Sequence, residues 1–250
     1  MPPKTPPITI VPHKGRGTGW ELPHRFSSRQ TEDFDDGWGT LEQSVQEQAL
    51  APATQVIDER VRSILSRNDS PDVGFDLSIN PYRGCEHGCI YCYARPTHEY
   101  LGFSAGLDFE SRILVKPEAP TLLRRELSSP RWRPQTIALS GVTDCYQPVE
   151  RRLRLTRGCL EVLAEFRNPV GIVTKNHLVT RDVDVLRELA RFRAVVVFIS
   201  VTTLDTALAL KLEPRASLPE HRLKAIETLS AAGIPVGVMA APVIPALTDH

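Results

Sequence analysis

The sequence predicts an α/β protein built on a mostly parallel sheet, and three observations carry that expectation. From about residue 76, short apolar runs of strand length alternate with stretches of helical periodicity, the pattern of successive βα units. The strongest helical stretches open at Pro148 and after Leu218 with proline near the first turn, and the second stops at Gly233. The chain has 250 residues, 41% of them hydrophobic, enough to bury one substantial core.

In chain order, residues 1–72 scatter Pro, Gly and charge among short apolar stretches. They read as an N-terminal extension, partly irregular, and residues 73–250 as the core domain. Gly15-Arg16-Gly17-Thr18-Gly19 follows the apolar run Ile8-Thr9-Ile10-Val11 and suggests a dinucleotide loop. Pro12 intervenes and no helical pattern follows Gly19, so a flexible or docking loop is the better reading. Strands are expected at 76–80, 135–140, 170–174, 194–201 and 235–240, with further helices at 119–129 and 181–192. The sequence stops at Asp249-His250, just after a strand and a Pro-rich loop, which reads as a truncated sheet one βα unit short.

Lys+Arg and Asp+Glu balance at 30 each, so no global field selects nucleic acid or an anionic membrane surface. The longest apolar run, around 194–200, falls far short of the roughly 18 residues a membrane span needs. The start, Met1-Pro2-Pro3-Lys4, lacks the apolar core of a signal peptide. No membrane partner and a cytoplasmic location are therefore expected. Between Arg112 and Arg157, ten Lys/Arg stand against four Asp/Glu, and Trp132 lies among them. A phosphate-binding rim with a base-stacking ring fits this segment, and so does a solvated helix face with a packed Trp.

Of five cysteines, three crowd into eight residues, which suggests a metal rather than a disulfide framework. Cys85, Cys89 and Cys92 fall at CxxxCxxC spacing directly after the first expected strand, with Gly84 and Gly88 supplying tight bends. Soft thiolates suit iron–sulfur clusters and zinc, and three ligands on a four-iron cube leave one corner open. Zinc would need His87 or His98 as a fourth ligand, yet no second ligand hairpin follows. His87 reads as a loop histidine that supports its neighbours, and Cys159 shares an apolar helix face with Leu155, Val162 and Phe166.

CxxxCxxC with Tyr91 before the last cysteine resembles the radical S-adenosylmethionine (SAM) signature. Wider stretches resemble the spore photoproduct lyase-related, DNA repair photolyase-like group: 78–98, Leu107-Asp108-Phe109-Glu110, Thr143-Asp144-Cys145-Tyr146-Gln147-Pro148, Thr174-Lys175-Asn176 and Glu213-Pro214-Arg215. The resemblance implies a partial (β/α)6 radical SAM barrel holding a 4Fe-4S cluster on Cys85, Cys89 and Cys92. It also implies reductive cleavage of SAM to a 5'-deoxyadenosyl radical that abstracts hydrogen, with a nucleic-acid lesion as a candidate substrate. An electron donor such as flavodoxin or ferredoxin would serve the cluster. A non-catalytic Fe-S or zinc-binding protein is the alternative.

In parallel βα folds ligands sit beyond the carboxyl ends of the strands. There the resemblance suggests Lys175 for the SAM carboxylate and Ser200 for a further SAM contact. The Gly-Gly-Glu segment of many relatives is replaced by Ser140-Gly141-Val142-Thr143-Asp144, so Ser140, Gly141 and Thr143 stand where the amino group would be met. Tyr91 is a backbone contact candidate. Cys145, expected at the mouth, and Tyr93, beside the cluster loop, match by position a thiol and a tyrosine that return hydrogen to a radical. An inert loop thiol is the competing reading of Cys145.

Overall fold

The computed structural model describes residues 15–19, 25–26 and 53–249. The apolar run at 8–11 and His250 lie outside the described residues. In chain order come β1 (Gln55–Asp58), β2 (Leu65–Arg67), β3 (Leu77–Ile79) and β4 (Tyr82–Arg83). After the cysteine loop follow a 3-10 helix (Arg95–Leu101), α1 (Asp108–Ser111), β5 (Arg112–Val115) and α2 (Ala119–Leu127). Next are β6 (Ile137–Leu139), α3 (Glu150–Leu153), α4 (Leu155–Glu165), β7 (Val170–Thr174) and a second 3-10 helix (His177–Asp182). The order finishes with α5 (Val183–Arg191), β8 (Val195–Ser200), α6 (Thr206–Leu212), α7 (Pro219–Ala231) and β9 (Val236–Met239).

The five expected strands are β3, β6, β7, β8 and β9, paired in that order and all parallel. Parallel strands need crossovers, and α2, α4, α5 and α7 carry the core-facing side chains of those connections. Leu123, Leu160, Leu163, Leu186, Leu189 and Leu229 are fully buried in the same core as Ile79, Ile137, Ile172 and Val197. The result is an open α/β sheet of the kind a partial (β/α)6 barrel presents, with β2 added antiparallel at one edge and the parallel β9 forming the other.

Two features depart from the sequence reading. A second sheet, ordered β1-β5-β4, is absent from the expectation, because strands of two to four residues are too short to show a period. The helix expected from Pro148 is broken between α3 and α4 by Arg154, whose φ of 54° is left-handed. Buried Glu150 explains the break: its carboxylate accepts from the Thr156 amide at 3.0 Å and so caps α4. It also takes the Tyr82 hydroxyl and the Arg181 guanidinium.

Among the described residues no helix is long and apolar enough to cross a membrane. Trp132 packs against the main core and donates to Asn168 Oδ1 at 3.2 Å, so the stacking reading of this ring gives way to packing.

Candidate active site

β3 ends at Ile79, and the chain crosses through β4 into the cysteine loop, where Gly84 and Gly88 have φ of 77° and 69°. Only glycine fits at Gly84, since a Cβ there would lie 2.9 Å from both the His98 ring and the Phe109 carbonyl oxygen. Cys85 and Cys89 are buried, Cys92 is half-buried, and all three are free thiols. Burial, helped by Glu213, pushes the Cys89 thiol up to about 12, and burial also raises Cys85 and Cys92. The protons leave when a metal takes the sulfurs.

Segments far apart in sequence hold this loop. Gln147 accepts from the Glu86 amide at 2.9 Å and donates to the Gly84 carbonyl at 3.1 Å. Glu86 accepts from the Val149 amide at 2.7 Å and pairs with Arg215 at 3.0 Å. Arg95 donates to the Cys89 carbonyl at 3.0 Å and pairs with buried Glu110 at 2.5 Å. Glu110 also accepts from the Gly17 amide at 2.8 Å, and its carbonyl accepts from Arg16 at 2.6 Å. The Gly15–Gly19 stretch is thus a docking loop in this structure.

Asp144 joins the loop to the end of β7. It accepts from Thr174 Oγ1, the Lys175 amide and the Tyr146 amide, each at 2.8 Å, and lies 3.3 Å from His87 Nδ1. Burial alone would raise its carboxyl, but the His87 ring and the two amides outweigh burial and lower it. Asn176 donates to His87 Nε2 at 3.1 Å. Both His87 nitrogens are therefore committed, and His98 Nε2 lies 3.0 Å from the Arg112 carbonyl. The contacts of His87 weaken its candidacy as the fourth ligand of a zinc site.

A cavity of about 420 Å³ opens at the carboxyl ends of the parallel strands, within the range of small-molecule sites. Cys89 and Cys92 line it, together with Tyr91, Tyr93, Ser140, Gly141, Thr143, Lys175 and Ser200. Lys175 Nζ donates to Ser200 Oγ at 2.6 Å, and Ser200 Oγ donates on to the Ala241 carbonyl at 3.1 Å. The Thr143 hydroxyl is held by the Tyr82 carbonyl at 3.2 Å. Ser140, at φ 82°, sits in the left-handed region that non-glycine residues rarely occupy. Tyr93 is exposed and donates to the Gly141 carbonyl at 2.5 Å.

The structure corrects the expectation for Cys145. Its thiol is not at the mouth but fully buried in the main core, and the residue is absent from the cavity wall. The loop turns inward there because Asp144 is anchored to β7 and the Cys145 carbonyl accepts from Thr156 at 2.6 Å. Burial, followed by the charges of Asp144 and Glu150, raises the thiol well above its ordinary value. Sequence reasoning also missed Glu213, a buried carboxylate that meets Lys175, Arg222, Tyr91 and Thr202. Its presence in a stretch quoted for the resemblance was the one available signal.

Fold and loop together define a class of α/β protein that carries a three-cysteine loop after the first parallel strand. The chain belongs to the Radical SAM superfamily, whose family model matches residues 79–250. Membership implies an iron–sulfur cluster and SAM as cofactors. An uncharacterized protein of Mycobacterium tuberculosis is 43% identical over 175 residues, covering 70% of this chain and 52% of that protein. An uncharacterized protein of Methanocaldococcus jannaschii is 31% identical over 176 residues, covering 70% of this chain and 63% of that protein. The chain spans about half the length of the mycobacterial relative.

Among solved structures, the fold is similar to spore photoproduct lyase complexed with dinucleoside spore photoproduct. The TM-score is 0.58 and the identity 17%, over 76% of this chain and 52% of that chain. A variant of that lyase with bound AdoMet and the same dinucleoside gives a TM-score of 0.57 and 16% identity, over 86% of this chain and 57% of that chain. At these identities the likeness concerns the fold.

The residues present fit a cluster. The Cys85 sulfur faces the backbone amides of His87 and Asp144, and the other two thiols border the cavity. Among the described residues no group of three or more His, Cys, Asp or Glu side chains is arranged to hold a single metal ion. A four-iron cube asks for ligands farther apart than one ion does.

Proposed function

We propose that the chain is a radical SAM enzyme whose Cys85, Cys89 and Cys92 hold a 4Fe-4S cluster with one iron open to SAM. The observation that carries this reading is the single cavity that gathers Cys89 and Cys92 with Lys175, Ser140 and Ser200. When bound, the cluster would supply the electron that cleaves SAM to a 5'-deoxyadenosyl radical, which takes hydrogen from substrate.

The chain's own groups bind and shield. Lys175 offers an ammonium to a carboxylate, and Ser200 holds it at the wall. The Gly141 carbonyl and the Tyr91 backbone are assigned to polar groups of SAM, since both residues line the cavity. Tyr93, on the rim, is assigned a relay role: its hydroxyl gives a hydrogen atom to the product radical, and the tyrosyl radical left behind is passed onward toward SAM. We further assign residues 73–250 to the catalytic core, the cytoplasm as compartment, and flavodoxin or ferredoxin as electron donor class.

A nucleic-acid lesion is the substrate class to test first. Support comes from the fold shared with the lyase and from exposed Arg151, Arg152 and Arg154. Arg124 and Arg157 are instead tied to Glu165 and to Asp182 and Asp184, which reduces the positive field of this segment. Anaerobic reconstitution, iron analysis and a SAM cleavage assay test the central reading. A protein that takes up only zinc, or that never forms 5'-deoxyadenosine under reduction, would overturn it.

A further inference from the structure

Glu213 lies just after α6, and its carboxylate is almost wholly buried at the back of the cavity wall. Oε1 accepts from Thr202 at 2.8 Å, stands 3.2 Å from Lys175 Nζ and takes the Tyr91 hydroxyl. Oε2 takes the Arg222 guanidinium. Arg222 is equally buried and fully engaged, because it also donates to the Ser217 carbonyl at 2.7 Å and the Ser200 carbonyl at 3.0 Å. One anion thus faces two cations in a shielded place. Arg222 engages Oε2 and leaves Oε1 to the ammonium of Lys175, a residue that lines the cavity together with Asp144. The Lys175 ammonium also lies 5.6 Å from the centre of the Tyr91 ring, inside the cysteine loop.

We propose that Glu213 is a positioning residue: it fixes the Lys175 ammonium at the cavity wall as an anion-binding group and ties it, through Tyr91, to the cysteine loop. The proposal rests on the radical SAM reading above and deepens it. The carboxylate recruits no ligand itself, since both oxygens are occupied. Its work is to hold a long, flexible lysine in one direction, so that an incoming carboxylate meets an ordered cation.

The test is Glu213→Gln, which keeps the size and removes the charge. Acetic anhydride labelling of the cluster-free protein, read by mass spectrometry, follows Lys175 against Lys211 and Lys224 as internal standards. Labelling of Lys175 is expected to rise several-fold over those standards. In the reconstituted protein, SAM should bind roughly tenfold more weakly at unchanged iron content, the loss typical of one charge-assisted contact. If wild type binds SAM and the variant matches it in both affinity and labelling, the positioning role is wrong. If wild type binds no SAM, the functional reading fails, and the labelling still decides where Lys175 is held. Should Glu213→Gln not fold, the double variant Glu213→Gln with Arg222→Met removes the buried guanidinium together with its carboxylate. The same rise in Lys175 labelling is expected there, and wild-type labelling would overturn the proposal.

Discussion

Gly17 lies so close to Gly88 that a Cβ built on Gly17 would fall 1.7 Å from the Gly88 carbonyl oxygen. A stretch some seventy residues upstream therefore serves as one wall of the cysteine loop.

Gly17→Ala should force that wall away and loosen the loop. The expected outcome is a lower iron content after reconstitution and a stability loss of about 1–3 kcal/mol, the usual cost of overpacking. Gly74→Ala, where the added carbon meets nothing within 4 Å, is the control and should match wild type. Iron analysis and urea unfolding of both variants check this. Equal iron in Gly17→Ala would show that the docked stretch is dispensable.

The five cysteines should separate into two groups. Cys85→Ala, Cys89→Ala and Cys92→Ala should each lose the electron paramagnetic resonance signal of the reduced cluster. Cys159→Ala and Cys145→Ala should keep it and lose on the order of 1 kcal/mol of stability, because both thiols are fully buried in the core. Tyr93→Phe, on the cavity rim, should still cleave SAM while shifting product ratios. Altered products from Cys145→Ala would mean that its loop turns outward during turnover.

Lys175→Ala should weaken SAM binding by about 2 kcal/mol, the scale of a charge-assisted pair, and leave the iron content alone. Titrating SAM against the cluster signal measures it. An unchanged affinity would place the SAM carboxylate elsewhere.

His98 should make stability depend on pH. Burial lowers its pKa from the ordinary 6.5, so the folded protein keeps the ring neutral while the unfolded chain protonates it. Stability from this group is complete above 6.5 and falls as the pH drops from 6.5 toward the lowered value. Denaturant unfolding at pH 8 and pH 5.5 should show the loss in wild type, and His98→Gln should flatten it. An identical slope in that variant would assign the dependence to another group.

The regular part of this molecule was legible in the sequence. β7, β8 and β9 are runs of four to six residues rich in Val and Ile, and the helices between them repeat their leucines at helical spacing. Those local patterns follow from backbone periodicity and need no distant partner. The short strands β1 and β4 carry no such pattern, and they exist because β5 supplies hydrogen-bonding partners from elsewhere in the chain. The break at Arg154 was hidden for a similar reason: it depends on Glu150, a carboxylate buried by contacts with Tyr82 and Arg181.

The site divides along the same line. Cysteine spacing, the two loop glycines and the residues at strand ends belong to local chemistry, and the sequence alone determined them. Chain folding decided which way each side chain faces. Cys145 and Thr143 are two residues apart on one loop, yet Thr143 borders the cavity and Cys145 enters the core. Glu213, Asn176, Gln147 and Glu110 reach the cysteine loop and cavity wall from four separate segments. A buried polar group must find partners wherever the fold brings them, and that pairing is a property of the tertiary structure, which no single stretch of sequence contains.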